Sequence, residues 1–247
     1  MSDNTEEVKN EKSAFGENFD FKKEYSDEFY EQYIKNFVPN EKKRLLYRFF
    51  KRIFDVVMSL LFLVILIPLF LVVSIAIKCD DPEGSVLFKQ KRMGKNGKIF
   101  NCIKFRSMKT SAPHDTATSC LDDSARYQTR VGRFLRKTSL DELPQLWCVL
   151  VGTMSFIGYR PLCLTEKKCN DMRDKLGVFS LKPGISGYAQ VHGRDGVYYK
   201  NKAIMDAYYV KNASLWFDLK LIFQTIAVIF TRNGNDDDRN AKKVDAE

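Results

Sequence analysis

The stretch VVMSLLFLVILIPLFLVVSIAI (residues 56–77) carries no charge and holds Pro68 near its middle. As a helix it reaches about 33 Å, enough for one bilayer crossing. Lys42, Lys43, Arg44, Arg48, Lys51 and Arg52 stand before it, and Lys78, Lys89, Lys91, Arg92, Lys95 and Lys98 follow. Lys and Arg beside a membrane segment prefer the cytoplasmic face, so a single crossing leaves one cluster misplaced. A helix that enters one leaflet, breaks at Pro68 and returns satisfies both clusters. A straight crossing with a tolerated central proline is the competing arrangement. We expect the re-entrant form, anchoring a body on the cytoplasmic face.

The 247-residue chain has a formal net charge of +9, unevenly spread. Residues 1–30 carry nine acids and four bases, whereas residues 82–110 carry one acid, Glu83, and eight bases. A positive block next to a membrane segment attracts anionic headgroups or phosphorylated substrates. No nucleic-acid recognition module accompanies it, so no nucleic-acid partner is expected. The six cysteines form no C-x-x-C pair, and only His114 and His192 could join them. That argues against a thiolate zinc site and suits a reducing compartment. The apolar run starts too deep for a cleavable signal peptide.

Four regions are expected. Residues 1–40 are a polar, acidic extension whose first twenty residues have little to bury. Within it, EYSDEFYEQYIKNF (24–37) sets aromatics and acids at helical spacing, either as a short helix docking on a partner or the membrane or as a solvated tether. Residues 41–78 form a basic amphipathic lead-in, with Leu45, Leu46, Phe49 and Phe50 turned toward lipid, and the re-entrant helix. Residues 79–232 form the catalytic domain and 233–247 a charged tail. In the domain, 86–90 and 99–105 read as strands of a basic hairpin turning at 94–97, and 111–125 as a polar loop. Helices are expected at 126–137, 143–151, 198–210 and 215–230, and Gly/Pro-rich loops at 152–161 and 183–193. The last helix sets Asp218, Lys220 and Gln224 off its apolar face and rests on the membrane or packs in the core. The fold class is mainly α with a small β-hairpin (α+β), with interface helices beside a cytosol-facing domain.

The chemistry concentrates in RKTSLDELPQLW (136–147), where Asp141 and Glu142 are adjacent carboxylates ahead of Pro144. If Asp141 caps the next helix, Pro144 falls at the third helical position, where its missing N–H costs nothing. The pair is then fully accounted for as a cap and a first-turn acid. The same geometry also serves phosphoryl transfer, since free N–H groups at a helix start bind phosphate oxygens. One acid can attack phosphorus while its neighbour holds a magnesium ion bridging phosphates. Arg136 lies close enough in sequence to clamp a phosphate oxygen. Lys104 and Arg106 close the hairpin, Arg160 lies between Gly158 and Pro161, and Arg194 follows Gly193. Each alone reads as a surface charge, but loops bounded by Gly and Pro fix a guanidinium for bidentate work.

In order, KRIFDVV (51–57), VLFKQKRMGKNGKIF (86–100), KFRSM (104–108), RKTSLDELPQLW, GTMSFIGYRP (152–161) and KPGISGYAQVHGR (182–194) form one composite pattern. It resembles the monotopic phosphoglycosyl transferases, also called bacterial sugar transferases, over residues 51–230. The resemblance implies transfer of a sugar 1-phosphate from a UDP-sugar to polyprenol phosphate at the bacterial inner membrane, with Mg2+ required. It makes Asp141 the nucleophile, forming a phosphosugar-enzyme intermediate as UMP leaves, and Glu142 the metal ligand beside Asp141. It assigns Arg136, Arg160 and Arg194 to phosphate and nucleotide, places Lys104 and Arg106 near the site, and implies that the transfer initiates glycan assembly. The chain departs from the family pattern at Ile67, Ser85, Thr153, Tyr159 and His192, where serine, proline, an acid, proline and asparagine are common.

Two other functions compete. One is the same transfer from a different nucleotide sugar. The other is a membrane-anchored scaffold without turnover, in which Asp141 serves only as a cap. A homo-oligomer or downstream glycosyltransferases are candidate partners beyond the two substrates and the membrane lipids.

Overall fold

The computed structural model describes residues 23, 25–37, 45–113, 124–193 and 197–230. The expectations for residues 1–20, most of the 111–125 loop, Arg194 and the tail from 233 lie outside the described residues. The first helix, α1 (Asp27–Asn36), starts where the Ser26 side chain accepts from the Phe29 N–H. Its face is buried against the body. Tyr30 is enclosed and its hydroxyl donates to Asn201 Oδ1 at 2.7 Å, while Lys200 pairs with Asp27. The segment is therefore a docked helix rather than a tether, and what it docks on is this chain.

Helices α2 (Leu45–Ile65) and α3 (Ile67–Asp80) follow, bent by 60° at Leu66 with Pro68 in the first turn of α3. Pro68 has no N–H for the carbonyl one turn back, and the break falls where that bond is missing. Neither helix alone is long and apolar enough to cross a membrane; only the bent pair taken together reaches that length and composition among the described residues. The pair is tied to the body by polar groups pointing inward. Asp55 is buried and accepts from the Ser155 hydroxyl and the Phe156 N–H, both at 3.1 Å. Lys51 reaches Asp218 at 2.6 Å. Val73 and Ile77 of α3 pack with Phe105 and Leu135.

The hairpin forms as expected, with β1 (Leu87–Met93) antiparallel to β2 (Ile99–Phe105) and Met93 opposite Ile99. Asn96 takes a left-handed conformation in its turn, which Asn tolerates. Next come α4 (Arg130–Lys137), α5 (Gln145–Val151), β3 (Ser155–Ile157), α6 (Lys167–Lys175), β4 (Gly184–Ser186), α7 (Tyr188–His192), α8 (Tyr199–Asn212) and α9 (Leu215–Phe230). Arg52 of α2 donates to the carbonyls of Val149 and Leu150 at the end of α5, both at 2.7 Å. The two Gly/Pro-rich stretches are not simply loops, because β3 and β4 pair in parallel between them. Glycine is required at this crossing: a Cβ on Gly187 would lie 1.8 Å from the Gly158 carbonyl oxygen. The main core gathers Tyr159, Leu176, Ile204 and Leu221 among α6, α8 and α9. The class is mainly α with a small hairpin, as expected, plus this second strand pair.

Helix α9 mixes polar and apolar groups on its inner face, where Leu221 enters the core. Asp218 is buried and accepts from Tyr47 and Tyr209, and Thr225 bonds Ser186. Trp216, 77% exposed, and Phe223, 63%, face outward. On α2, Leu45, Leu46, Phe49 and Phe50 likewise face out while Asp55 and Ser59 face in. Water favours the opposite arrangement, so these outward faces are suited to lipid.

Tyr30→Phe should lower stability by about 1 kcal/mol, since Asn201 Oδ1 loses a buried donor. Urea unfolding of the solubilised protein, read beside wild type, measures the change.

Candidate active site

The chain reaches the carboxylates from α4 through a tight turn. Thr138 ends the helix and Ser139 takes a left-handed conformation (φ 57°), which is uncommon for a residue with a Cβ. Leu140–Glu142 is a single 3-10 turn, in which the Leu143 N–H donates to Leu140 at 3.2 Å. Asp141 therefore does not cap α5, and Pro144 is not inside it: Pro144 stands at the N-cap, before Gln145. Starting the helix after the proline leaves its missing N–H outside the ladder. With the cap explanation gone, the burial of Asp141 needs another reason.

Glu142 is the electrostatic centre. Its Oε1 accepts from Lys104 Nζ at 2.7 Å and from an Arg160 Nη at 3.1 Å. Burial alone would disfavour its charge. Lys104, then Arg160, outweigh that and hold the carboxyl well below the usual carboxylate range. Asp141 is 9% exposed. Burial pushes its pKa up, Lys104 opposes this, and the Glu142 charge adds to the rise. Arg136, at the end of α4, also acts on Asp141 and favours its charged form. The arrangement sets a carboxylate bonded to two cations beside a second, buried carboxylate on which Lys104, Arg136 and Arg160 all act.

Hairpin, 3-10 turn, α4 and the loop after β3 thus bring Lys104, Asp141, Glu142, Arg136 and Arg160 together. Arg106 does not join them. It is 6% exposed, donates to the Asp81 carbonyl at 2.5 Å and lies 3.6 Å from the Asp81 carboxylate, at the exit of α3. Strand alternation would set it beside Lys104, but the strand ends at Phe105. Two arginines that sequence reasoning missed brace the Arg160 loop. Arg92 donates to the Pro161 carbonyl at 3.0 Å, and Arg173 to the Arg160 carbonyl at 2.9 Å. Both reach that loop through main-chain carbonyls, which leave no mark in a sequence.

The donor set can be tested against a magnesium ion. Among the described residues no three His, Cys, Asp or Glu side chains converge. Magnesium commonly takes one or two carboxylates, with substrate phosphates and water completing its shell. Asp141 and Glu142 fit that habit and do not form a closed protein cage.

Arg106→Met is expected to lower stability by about 1–3 kcal/mol, because it strips Asp81 of its buried partner at the end of α3. Chemical denaturation in detergent reads this out.

A family model described as "Bacterial sugar transferase" matches residues 46–232. A UDP-galactose-lipid carrier transferase of Erwinia amylovora is 36% identical over 211 residues, covering 80% of this chain and 44% of that protein. An undecaprenyl-phosphate galactose phosphotransferase of Salmonella typhimurium is 38% identical over 213 residues, covering 80% and 44%. The exopolysaccharide production protein ExoY of Sinorhizobium fredii is 36% identical over 199 residues, covering 75% and 87%. The chain thus spans less than half the length of the first two relatives and most of the third. On the extent of the match and the order of the site motifs, the chain belongs to the bacterial sugar transferase family.

Proposed function

We propose that this protein transfers a sugar 1-phosphate from a UDP-sugar to a membrane polyprenol phosphate, releasing UMP. One observation carries the reading: a buried Asp141 lies beside a Glu142 whose Oε1 receives Lys104 and Arg160. The names of relatives agree in class, among them an undecaprenyl-phosphate galactose phosphotransferase and a UDP-glucose:undecaprenyl-phosphate glucose-1-phosphate transferase. An N-acetylgalactosaminephosphotransferase of the same lipid is also similar to this chain.

In this reading an Asp141 carboxylate oxygen attacks the β-phosphorus of the UDP-sugar. The bond from that phosphorus to the bridging oxygen breaks, and UMP departs with the electron pair. A polyprenol phosphate oxygen then attacks the same phosphorus, the aspartyl O–P bond breaks, and Asp141 returns free with a polyprenol diphosphate sugar as product. Two displacements let a soluble nucleotide and a lipid use one pocket in turn. Arg160 and Arg136 offer donors to the equatorial phosphate oxygens, and Lys104 keeps Glu142 ionised. A magnesium ion, held through Glu142 and Asp141, would neutralise phosphate charge.

The membrane reading belongs to the same proposal. The bent pair dips into one leaflet of the bacterial inner membrane and returns, with the catalytic body on the cytoplasmic face. The outward apolar faces of α2 and α9 support it, as does the 60° bend between two helices that together have the length and composition of a span.

Two experiments follow. Membranes supplied with UDP-galactose, UDP-glucose or UDP-N-acetylgalactosamine and undecaprenyl phosphate should release UMP with magnesium, and Asp141→Asn should reduce release at least ~1,000-fold. Full activity in Asp141→Asn would remove the nucleophile, and no release from any donor in wild type would remove the reaction. For topology, cysteines introduced singly at Phe50 and Asp80, in a chain without its native six, should both label from the cytoplasmic side. Labelling of either from outside would restore a straight crossing.

A further inference from the structure

Beneath the Arg160 loop lies an ion pair closed off from solvent. Arg173 of α6 and Asp206 of α8 have side chains 2% and 1% exposed, 2.5 Å apart. The same guanidinium donates through its other terminal nitrogen to the main-chain carbonyl of Arg160. Tyr159 lies over it with the ring centroid 5.6 Å away, and Phe179 packs edge-on against that ring. Tyr159 is fully buried, so the residue that replaces the family's usual proline is part of this cluster.

A buried ion pair is an inefficient way to stabilise a core, because desolvation offsets most of the attraction. Here Arg173 Nε and Asp206 Oδ1 lack hydrogen-bond partners, which makes the offset worse. What the pair does provide is direction. A guanidinium is a rigid fork, so fixing one prong on Asp206 fixes the other. That second prong holds the Arg160 carbonyl, and Arg92 holds the next one, at Pro161. The Arg160 side chain, 48% exposed, then has only its own rotamers to settle before it meets Glu142.

We propose that Arg173 and Asp206 are a positioning pair that aims Arg160 across Glu142 at the diphosphate of the nucleotide sugar. Neither touches substrate. They act through the main chain of Arg160, and the inference rests on the phosphoryl-transfer reading above.

A double-mutant cycle tests it: wild type, Arg173→Lys, Arg160→Gln and the two combined, assayed for UMP release with the same UDP-sugar panel and undecaprenyl phosphate. Lysine keeps a charge for Asp206 but loses the fork. Arg173→Lys should lower kcat/KM by ~10–100-fold in the wild-type background, as small misplacements of a positioned group do. On the Arg160→Gln background it should cost less than ~3-fold, because the group it positions is already gone. Equal losses in both backgrounds would overturn the proposal and leave Arg173 a core residue only. If Arg160→Gln matches wild type while wild type turns over, Arg160 has no role in transfer and the proposal falls with it. No turnover in wild type would instead defeat the function reading itself. Should Arg173→Lys fail to fold, Arg173→Met with Asp206→Leu keeps the core filled without a lone charge, and the same cycle decides.

Discussion

One carboxylate oxygen organises the site. Glu142 Oε1 draws Lys104 from the hairpin and Arg160 from the loop after β3 onto a turn that also carries Asp141. Without the two cations, adjacent buried carboxylates would repel each other and one would take up a proton. With them, Glu142 stays charged and its neighbour is left free of that double pairing. Hairpin, turn and loop are far apart in the chain, so this one acceptor also works as a tertiary tie.

The second constraint is where the body sits relative to lipid. Both α2 and α9 bury an acid against the protein, Asp55 and Asp218, and expose large apolar side chains such as Phe49, Phe50, Trp216 and Phe223, an inversion of the usual pattern in water. Asp55, Arg52 and Lys51 convert that inversion into rigid attachment, because each finds a partner on the body at hydrogen-bond distance. Arg106 does the same at the far end of the bent pair, where α3 leaves toward the hairpin. The bent pair is thus tied at both ends to elements that flank the Asp141–Glu142 turn. In the proposed function, such ties would hold the site at the height where a soluble and a lipid substrate meet.

Local pattern made some elements legible. The hairpin could be read because short strand-like runs flank the glycine-bounded turn GKNG, and Met93 pairs with Ile99 across it. Helices α8 and α9 showed through their length and apolar spacing. By contrast, α6 was hidden: its inward residues include Asn170 and Arg173, so no apolar stripe marks its buried face. The β3–β4 pair was equally hidden, since three-residue strands distant in sequence carry no periodicity. At the site, residue types and order pointed to Asp141, Glu142, Lys104, Arg136 and Arg160, while the capping geometry and the place of Arg106 did not follow.

The sequence by itself determined the chemistry on offer: paired acids, arginines in tight loops, and an apolar run broken by proline. These are properties of residue type and spacing, which short windows record. Only the tertiary structure decided which cation meets which acid, which face of α9 looks outward, and that α1 folds back on its own body. Those outcomes depend on partners brought together from distant parts of the chain, chiefly main-chain carbonyls and buried carboxylates whose positions no local pattern encodes.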